Sequence, residues 1–368
     1  MATGITPPGS VLGRPLTPPP TAEKPLSKSA QSVVTYLRHN RAGHRPKFWW
    51  EVRLRPDDYT EVLHMLNLDK SLLDYVEDKV RYDYDPRRHC LTIRMPSPVH
   101  DTFCARIVDE ISQQLRQFQK DNGLLAEFVK HVEHFATSRI LIPEDVQDGK
   151  QTYSRREPDA SFGHRQALYP GVIVEICYSQ KSRRISHLAD DYILNTDGSV
   201  NVVIALDIDY KGSKRATMTV WRPEYTTIDG VEEFRATAVI EAQPFRTDSG
   251  LPTKETMLRL SLRDFATEEL LRGNIDLDRE IIITSKQLCD YLSGAEARQQ
   301  AHTQHQGSIN RIRPGALKRR RPQTPPEHIS SEGEGSFEGE RQRKRGCRSS
   351  DYHPSSPSGD SVDELNCT

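Results

Sequence analysis

The sequence predicts an α+β fold: a central mixed sheet flanked by helices, a β-rich C-terminal extension and disordered tails. Residues 171–178 follow a Tyr-Pro-Gly turn signal and contain four β-branched residues, which is typical of a buried strand. Apolar side chains recur at helical spacing from Val99 to Phe118, which indicates a helix packed on that sheet. Residues 1–30 and 298–368 are dominated by polar residues, Pro and Gly, and are predicted to bury no core.

The other elements follow from local patterns, and they define three ordered regions. These are an accessory region at 31–79, a core at 80–222 and the β-rich extension at 223–297. Alternating side chains or β-branched runs predict the strands, and apolar residues three and four apart predict the helices. The predicted strands are 48–52, a hairpin at 80–96, 160–162, 171–178, 200–207, 216–223, 234–240, 257–262 and 281–284. The predicted helices are 59–66, 72–76, one starting at 97, one ending at Asp197-Gly198, and 288–297.

Two acidic residues are the strongest candidates for chemistry. Glu175 lies within the apolar run, and Glu is seldom buried unless it is paired or binds a cation. Asp159 follows Pro158, which biases the backbone before it toward extended structure, so the two acids are expected side by side on adjacent strands. Such a pair suits Mg²⁺ or Mn²⁺, because Mg²⁺ takes one or two protein carboxylates and keeps room for a phosphate oxygen and a water.

At these residues the chain resembles the PD-(D/E)xK superfamily of restriction-endonuclease-like nucleases, and more closely a branch of uncharacterised domains within it. The likeness covers roughly residues 80–222, in the order hairpin, helix, strand, strand, helix, strand, strand. It includes a Pro/Ser turn and His100 near the start of the first helix. The resemblance implies a restriction-endonuclease-like core in a eukaryotic nuclear-type protein, with Asp159 and Glu175 as the metal-binding catalytic acids.

One position departs from the family pattern. The family places a lysine two residues after the second acid, where it polarises the attacking water, and this chain has Cys177 there. Lys181 can substitute from the end of the strand, or it is a solvated residue at the start of a basic helix. Gln180 can orient a water but carries no positive charge. If no cation reaches the site, the domain binds without cutting.

Three further acids and one histidine each have two possible interpretations. In the resembling family an acid on the first helix often supplements the metal site, which makes Glu110 a third metal-ligand candidate; the alternative is a salt-bridged surface residue. His100 either orients a ligand or caps the helix. Asp207 and Asp209 project from one face at a strand end, where they extend the acidic site or are solvated.

Composition limits the partners. The chain has 51 basic and 52 acidic residues, so any nucleic-acid surface must be local. No apolar run is long enough to cross a membrane, and six scattered cysteines predict free thiols in a reducing compartment. Basic clusters lie at 341–345 and at Lys318, Arg319, Arg320 and Arg321. They predict nuclear import through an import receptor, or phosphate contacts; the alternative is a solvated tail in a cytoplasmic protein.

Three functions remain open from the sequence. The first is a Mg²⁺-dependent nuclease that cleaves DNA with Asp159, Glu175 and Lys181. The second is an inactive nuclease fold that binds nucleic acid or protein in the nucleus. The third is a nuclear interaction scaffold in which the acids are merely salt-bridged.

Overall fold

The computed structural model describes residues 27–44, 49–94, 97–121, 123–136, 138–144, 151–178, 182–209, 212–254, 256–271 and 277–319. The chain divides into two units, one ending at Gly307 and one beginning at Ser308. In the second unit, residues 308–319 are exposed and form neither helix nor strand. No helix in the described ranges is both long and apolar enough to traverse a bilayer.

The first unit contains seven helices and thirteen strands within its described residues. The helices are α1 (Lys28–Arg41), α2 (Pro56–Leu68), α3 (Lys70–Lys79), α4 (Pro98–Phe118), α5 (Leu124–Lys130), α6 (Ser182–Leu194) and α7 (Ser285–Thr303). The strands are β1 (Trp49–Arg53), β2 (Arg81–Asp85), β3 (Cys90–Arg94), β4 (Val132–Ala136), β5 (Ile140–Pro143), β6 (Tyr153–Arg156), β7 (Ala160–His164), β8 (Val172–Tyr178), β9 (Val202–Ile208), β10 (Ala216–Ile228), β11 (Val231–Arg246), β12 (Met257–Ser261) and β13 (Glu280–Thr284).

A six-stranded mixed sheet with the order β11-β10-β9-β8-β7-β4 forms the centre of the fold. Strands β8 and β9 are parallel and are joined by α6, whereas the other neighbours are antiparallel. The side chains of β8 alternate between the two faces. Val174 belongs to the apolar cluster that contains α4, α7 and the β12-β13 pair, while Ile173 belongs to the cluster formed with α6. The predicted α+β fold with a mixed sheet between helices is therefore confirmed.

A second, antiparallel sheet has the order β1-β3-β2-β6-β5. Its β2–β3 hairpin has an apolar face and a charged face, because residues two apart on a strand share a face. Tyr82, Tyr84, Leu91 and Ile93 pack with α1, α2 and α3 in a separate apolar cluster. On the opposite face, Arg81 and Arg94 contact Asp159 and Glu175 of the central sheet region, Asp83 accepts the Glu157 backbone N–H, and Asp85 accepts from Arg156 of β6.

Strands β10 and β11 form a long hairpin that continues beyond the central sheet. Pairing of β10 with β9 ends at Trp221, so residues 222–237 form a two-stranded segment that we call the β-arm. Its turn has two residues, Asp229 and Gly230, both with positive φ (52° and 79°), as in the type I′ turns that fit twisted hairpins. Pro223 is tolerated within β10 because the ladder to β9 has already ended there.

The structure confirms most predicted elements and adds others. The core face of α4 is found as predicted, and the strand predicted at 171–178 is observed at Val172–Tyr178. Helices α1 and α5 and strands β4, β5 and β6 were not predicted, and the last four insert into the expected order between the first helix and the two acid-bearing strands. Three predicted boundaries move: α1 begins at Lys28 and buries Ala30, inside the predicted N-terminal tail, residue 222 falls inside β10, and α7 continues past residue 297.

Candidate functional site at the acid pair

Asp159, just before β7, and Glu175, in the middle of β8, lie opposite each other where the β7–β8 ladder ends. In the antiparallel β7–β8 ladder Ala160 faces Val174, so the next pair outward is Asp159 and Glu175. Both side chains are buried, at 6% and 2% exposure. We call these two residues the acid pair. Carboxylates at this depth require partners, and the structure supplies them from four different elements.

The guanidinium of Arg94, on β3, lies between the two acids. Its Nη1 donates to Glu175 Oε2 at 3.1 Å and lies 3.7 Å from Asp159 Oδ1. Its Nη2 donates to Asp83 Oδ1 at 3.2 Å and to the carbonyl of Glu157. Burial works against the charge, but the three acids raise the pKa of Arg94 well above its ordinary value. Arg94 is therefore a permanent cation within the acid pair.

His100 and Arg81 complete the environment of Asp159. Oδ2 of Asp159 lies 3.0 Å from His100 Nε2 and accepts the Ile176 backbone N–H at 2.8 Å, while Arg81 Nη1 lies 3.5 Å from Oδ1. Burial favours the neutral acid, but His100, Arg94 and the Ile176 N–H outweigh it and hold the pKa of Asp159 well below its usual range. The same contacts with Asp159 and Asp101 outweigh burial and raise the pKa of His100 to about 9.

Glu175 has the opposite shift. Burial raises its pKa above the ordinary value; Arg94 opposes this, and the nearby charges of Asp159 and Asp83 add to it. Tyr192, on α6, donates its hydroxyl to Glu175 Oε1 at 3.0 Å. With Arg94 on Oε2, both carboxyl oxygens of Glu175 already accept hydrogen bonds from the protein.

A divalent cation does not fit this arrangement. Each of the four carboxylate oxygens of the acid pair accepts a hydrogen bond from a side chain or from the Ile176 N–H. The guanidinium of Arg94 occupies the space that a bridging ion needs. In the part of the chain that the structure describes, no three His, Cys, Asp or Glu side chains are grouped so as to hold a metal ion. The expected role of Mg²⁺ or Mn²⁺ is therefore without support from these side chains.

Cys177 does not replace the missing lysine. Its side chain is buried on β8, and burial raises the pKa of the thiol well above its ordinary value, so it remains neutral. Lys181 and Gln180, the alternative candidates, lie outside the described residues. Among the described residues, the cationic groups that contact the acid pair are Arg81, Arg94 and His100, and all three come from sequence before the first acid.

Glu110 is engaged elsewhere. It lies ten residues beyond His100 on α4, about 15 Å along the helix axis at 1.5 Å per residue. Its Oε1 accepts from Gln114 at 2.7 Å and its Oε2 from Tyr291 at 2.6 Å, which joins α4 to α7. The structure does not bring Glu110 to the acid pair, because the side chain of Glu110 points toward α7, where Tyr291 bonds to it.

Asp207 lies at the far end of β9, where it faces Cys177 across the parallel ladder. Burial, together with the neighbouring Asp209, raises the pKa of Asp207 to about 6. Within the described part of the chain, no hydrogen bond joins the Asp207 carboxyl to Asp159 or Glu175. Of the predicted acids, the structure thus joins Asp159 and Glu175 and leaves Asp207 and Glu110 apart from them.

Several members of the site were not predicted, and most are arginines or their partners. Strand β6 contributes Arg155, which bonds to Glu157, and Arg156, which bonds to Asp85 at 2.9 Å and Asp191 at 2.7 Å. A usable signal exists in the hairpin, where charged residues recur every second position while the intervening residues are apolar. The residues that surround and include the acid pair form what we call the charged cluster: Arg81, Asp83, Arg94, His100, Glu157, Asp159, Glu175 and Tyr192.

No protein-family model and no curated protein matches this chain. The resemblance to the PD-(D/E)xK nucleases therefore rests on the residues quoted above. Of the predicted import segment, Lys318 and Arg319 are exposed, while Arg320 and Arg321 lie outside the described residues.

Proposed function

We propose that the first unit is a non-cleaving binding module, built on a restriction-endonuclease-like core whose acid pair serves structure rather than catalysis. The observation that carries this proposal is the position of Arg94, with a donor on every oxygen of the two acids. Phosphodiester hydrolysis of the expected kind needs a metal ion and an activated water between such acids. A charged guanidinium at that place excludes both.

The energetics of the charged cluster support a structural role. Removing one partner from a buried ion pair leaves an uncompensated charge, at a cost of about 3–5 kcal/mol. Displacement of Arg94 by Mg²⁺ would leave Asp83 without its Nη2 contact. The pairs of the cluster also link β2, β3, α4 and α6 to Asp159, just before β7, and to Glu175 on β8, so they hold the two sheets together.

A cleavage assay on the full chain tests the proposal. Supercoiled plasmid and single-stranded DNA are incubated with Mg²⁺ or Mn²⁺ and with the wild type, Asp159→Asn, Glu175→Gln and Lys181→Ala. The control variant is Glu268→Gln, which changes an exposed acid remote in sequence from the acid pair. We expect no metal-dependent cleavage by any of them. Cleavage by the wild type and Glu268→Gln that is lost in Asp159→Asn and Glu175→Gln would overturn the proposal in favour of the nuclease.

A metal titration provides a second readout that does not depend on choosing the right substrate. Calorimetry with Mn²⁺ should give no heat that distinguishes the wild type from the Asp159→Asn variant. A binding isotherm in the wild type that disappears in Asp159→Asn would place a cation at the acid pair and contradict the role given to Arg94.

The place of action is part of the same proposal. The module works in the nucleus, and the basic segment around Lys318 and Arg319 provides the import signal. A fluorescent fusion of the full chain is expected to accumulate in nuclei, and a variant with alanine at 318–321 is expected to spread through the cell. Equal nuclear signal from both would remove this segment as the import signal.

A further inference from the structure

The β-arm is an unusual feature for a compact fold. An isolated two-stranded ribbon is marginally stable in water, yet residues 222–237 continue about seven residue pairs beyond the end of β9. One face of the β-arm packs with the α6 cluster through Ala236 and Phe234, and Phe234 is paired with Tyr225 and contacts its ring. At the tip, Tyr225, Ile228 and Val231 are 67%, 38% and 61% exposed. Large apolar side chains at the end of a projecting ribbon are typical of a contact surface.

The outer edge of the β-arm is the edge of the central sheet. Among the described strands, β11 pairs only with β10 over the length of the arm. The isolated bridge between Arg246 and Pro252 covers only the far end of β11. A strand with one free edge presents backbone donors and acceptors that an extended segment of another protein can pair with.

The charge of the β-arm selects among possible partners. The β-arm has four carboxylates, on Glu224, Asp229, Glu232 and Glu233, and two guanidiniums, on Arg222 and Arg235, which gives a formal charge of minus two; Arg222 is bonded to Asp264, outside the arm, at 2.6 Å. Arg235 is already bonded to Glu233 at 2.8 Å. The whole chain has a formal charge of only minus one, so this concentration of acids is local. Adjacent residues on a strand point to opposite faces, so Glu232 and Glu233 flank the edge on both sides.

We propose that the edge of β11 in the β-arm binds an extended, basic segment of a partner protein, which adds to the central sheet as a further strand. Nucleic acid is disfavoured, because its phosphates are attracted by Lys and Arg and repelled by carboxylates. A second copy of the chain is disfavoured in the same way, since self-pairing places one acidic strand against another. Cationic side chains on the added strand meet the flanking carboxylates, and its apolar side chains extend the exposed surface at the tip. This inference rests on the proposed function, since it gives the non-cleaving module its partner class.

The test uses the full chain and a labelled peptide of alternating lysine and valine, about ten residues long, which favours a strand and carries the required charge. Binding is followed by fluorescence anisotropy in the presence of a chelator. Two variants of equal charge change are compared: Glu232→Gln/Glu233→Gln on the β-arm and Glu268→Gln/Glu269→Gln on an exposed turn. We expect the β-arm variant to bind roughly threefold to tenfold more weakly than the wild type, and the turn variant to bind like the wild type.

Two control peptides separate strand addition from simple charge attraction. The same sequence with alternate backbone nitrogens methylated retains every charge and loses the donors on one edge, and we expect it not to bind. A glutamate-valine peptide should not bind either. Equal binding of the methylated peptide, or equal weakening by the turn variant, would overturn the proposal. So would failure of the lysine-valine peptide to bind the wild type at low salt.

Competing occupants give distinct results. If a DNA duplex displaces the peptide, the edge binds nucleic acid, and the proposed protein partner is wrong. Sedimentation of the wild type alone tests for self-association. A concentration-dependent dimer that is lost in an Ile228→Thr/Val231→Thr variant would assign the edge to a second copy of the chain and overturn the proposal. The chelator keeps these measurements independent of the cleavage assay, so a metal-dependent nuclease would leave the peptide result unchanged.

Discussion

The charged cluster and the β-arm are both rich in charge, but they use it in opposite ways. In the cluster, both carboxylate oxygens of Asp159 and of Glu175 have donors within the fold, and the acids are almost fully buried. In the β-arm, four carboxylates lie near the surface at the end of a sheet; Arg235 pairs with Glu233, and Arg222 pairs with Asp264 outside the arm. Buried charge must be satisfied by the protein itself, whereas exposed charge remains available to a partner.

The largest expected effect is the loss of Arg94. Arg94→Met retains much of the side-chain volume and removes the cation from Asp83, Asp159 and Glu175. Because buried carboxylates are left without their partner, we expect the free energy of unfolding to fall by about 3–5 kcal/mol, measured by urea denaturation.

The matched control for Arg94→Met is Arg259→Met, which breaks the exposed pair between Arg259 and Glu280 on the β12-β13 ladder. Exposed pairs contribute about 0–1 kcal/mol, so the control should lose no more than that. If the two variants lose equal stability, the contrast between buried and exposed charge in this protein is wrong.

The protonation of His100 is expected to make stability depend on pH. Burial lowers the pKa of His100, but Asp159 and Asp101 outweigh it and raise the pKa from 6.5 to about 9. The folded state therefore holds this proton more tightly than the unfolded state. The resulting stabilisation is fully present below pH 6.5 and is lost as the pH rises through about 9. At about 1.4 kcal/mol per pKa unit, it is on the order of 3–4 kcal/mol.

Unfolding by urea at a series of pH values checks this expectation, with His100→Gln as the comparison. The amide of Gln can still donate to Asp159 but does not titrate. The pKa of Glu175 is also raised in the folded state, so Glu175 lowers the stability of both proteins as the pH rises. The difference between the two curves therefore isolates the contribution of His100. Parallel curves between pH 6.5 and 9 would show that His100 is not charged in the folded protein.

A smaller effect is expected from Tyr192→Phe. The substitution keeps the buried ring and removes the hydroxyl that donates to Glu175 Oε1 at 3.0 Å. One carboxyl oxygen is left without a donor, so we expect a loss of about 1–3 kcal/mol. Tyr225→Phe, on the exposed β-arm, is the control and should change stability by less than about 0.5 kcal/mol. Equal losses would mean that the Tyr192 hydroxyl makes no net contribution.

The sequence predicted those elements whose own residues determine them. Strand β8 is apolar and β-branched, and α4 has an uninterrupted apolar stripe, so both were found close to their observed bounds. Strand β6 was missed because its sequence, Tyr-Ser-Arg-Arg, has no local strand pattern. Its arginines are buried only because Asp85, Glu157 and Asp191 pair with them, and two of these acids lie far away in the chain.

The candidate site was predictable in its acids and not in its cations. Glu175 stood out as an acid in an apolar strand, and Pro158 marked Asp159 as its neighbour. Arg94 gave no comparable signal, because an arginine at a strand end is ordinarily solvated, and only the packing of the two sheets buries it. The hairpin of the β-arm was predictable from the sequence, since Asp229-Gly230 between two apolar residues favours a two-residue hairpin turn.

The smallest expected effect is on the β-arm itself. Glu232→Gln/Glu233→Gln removes two exposed charges, one of which is paired with Arg235 at the surface. Neither residue belongs to an apolar cluster, and removing like charges relieves repulsion among the arm's acids, so the free energy of unfolding should change by less than about 0.5 kcal/mol. A loss near that of Arg94→Met, seen in the same urea titration, would mean that these acids are structural. If the variant keeps the wild-type free energy of unfolding and binds the peptide more weakly, these acids serve binding and not folding.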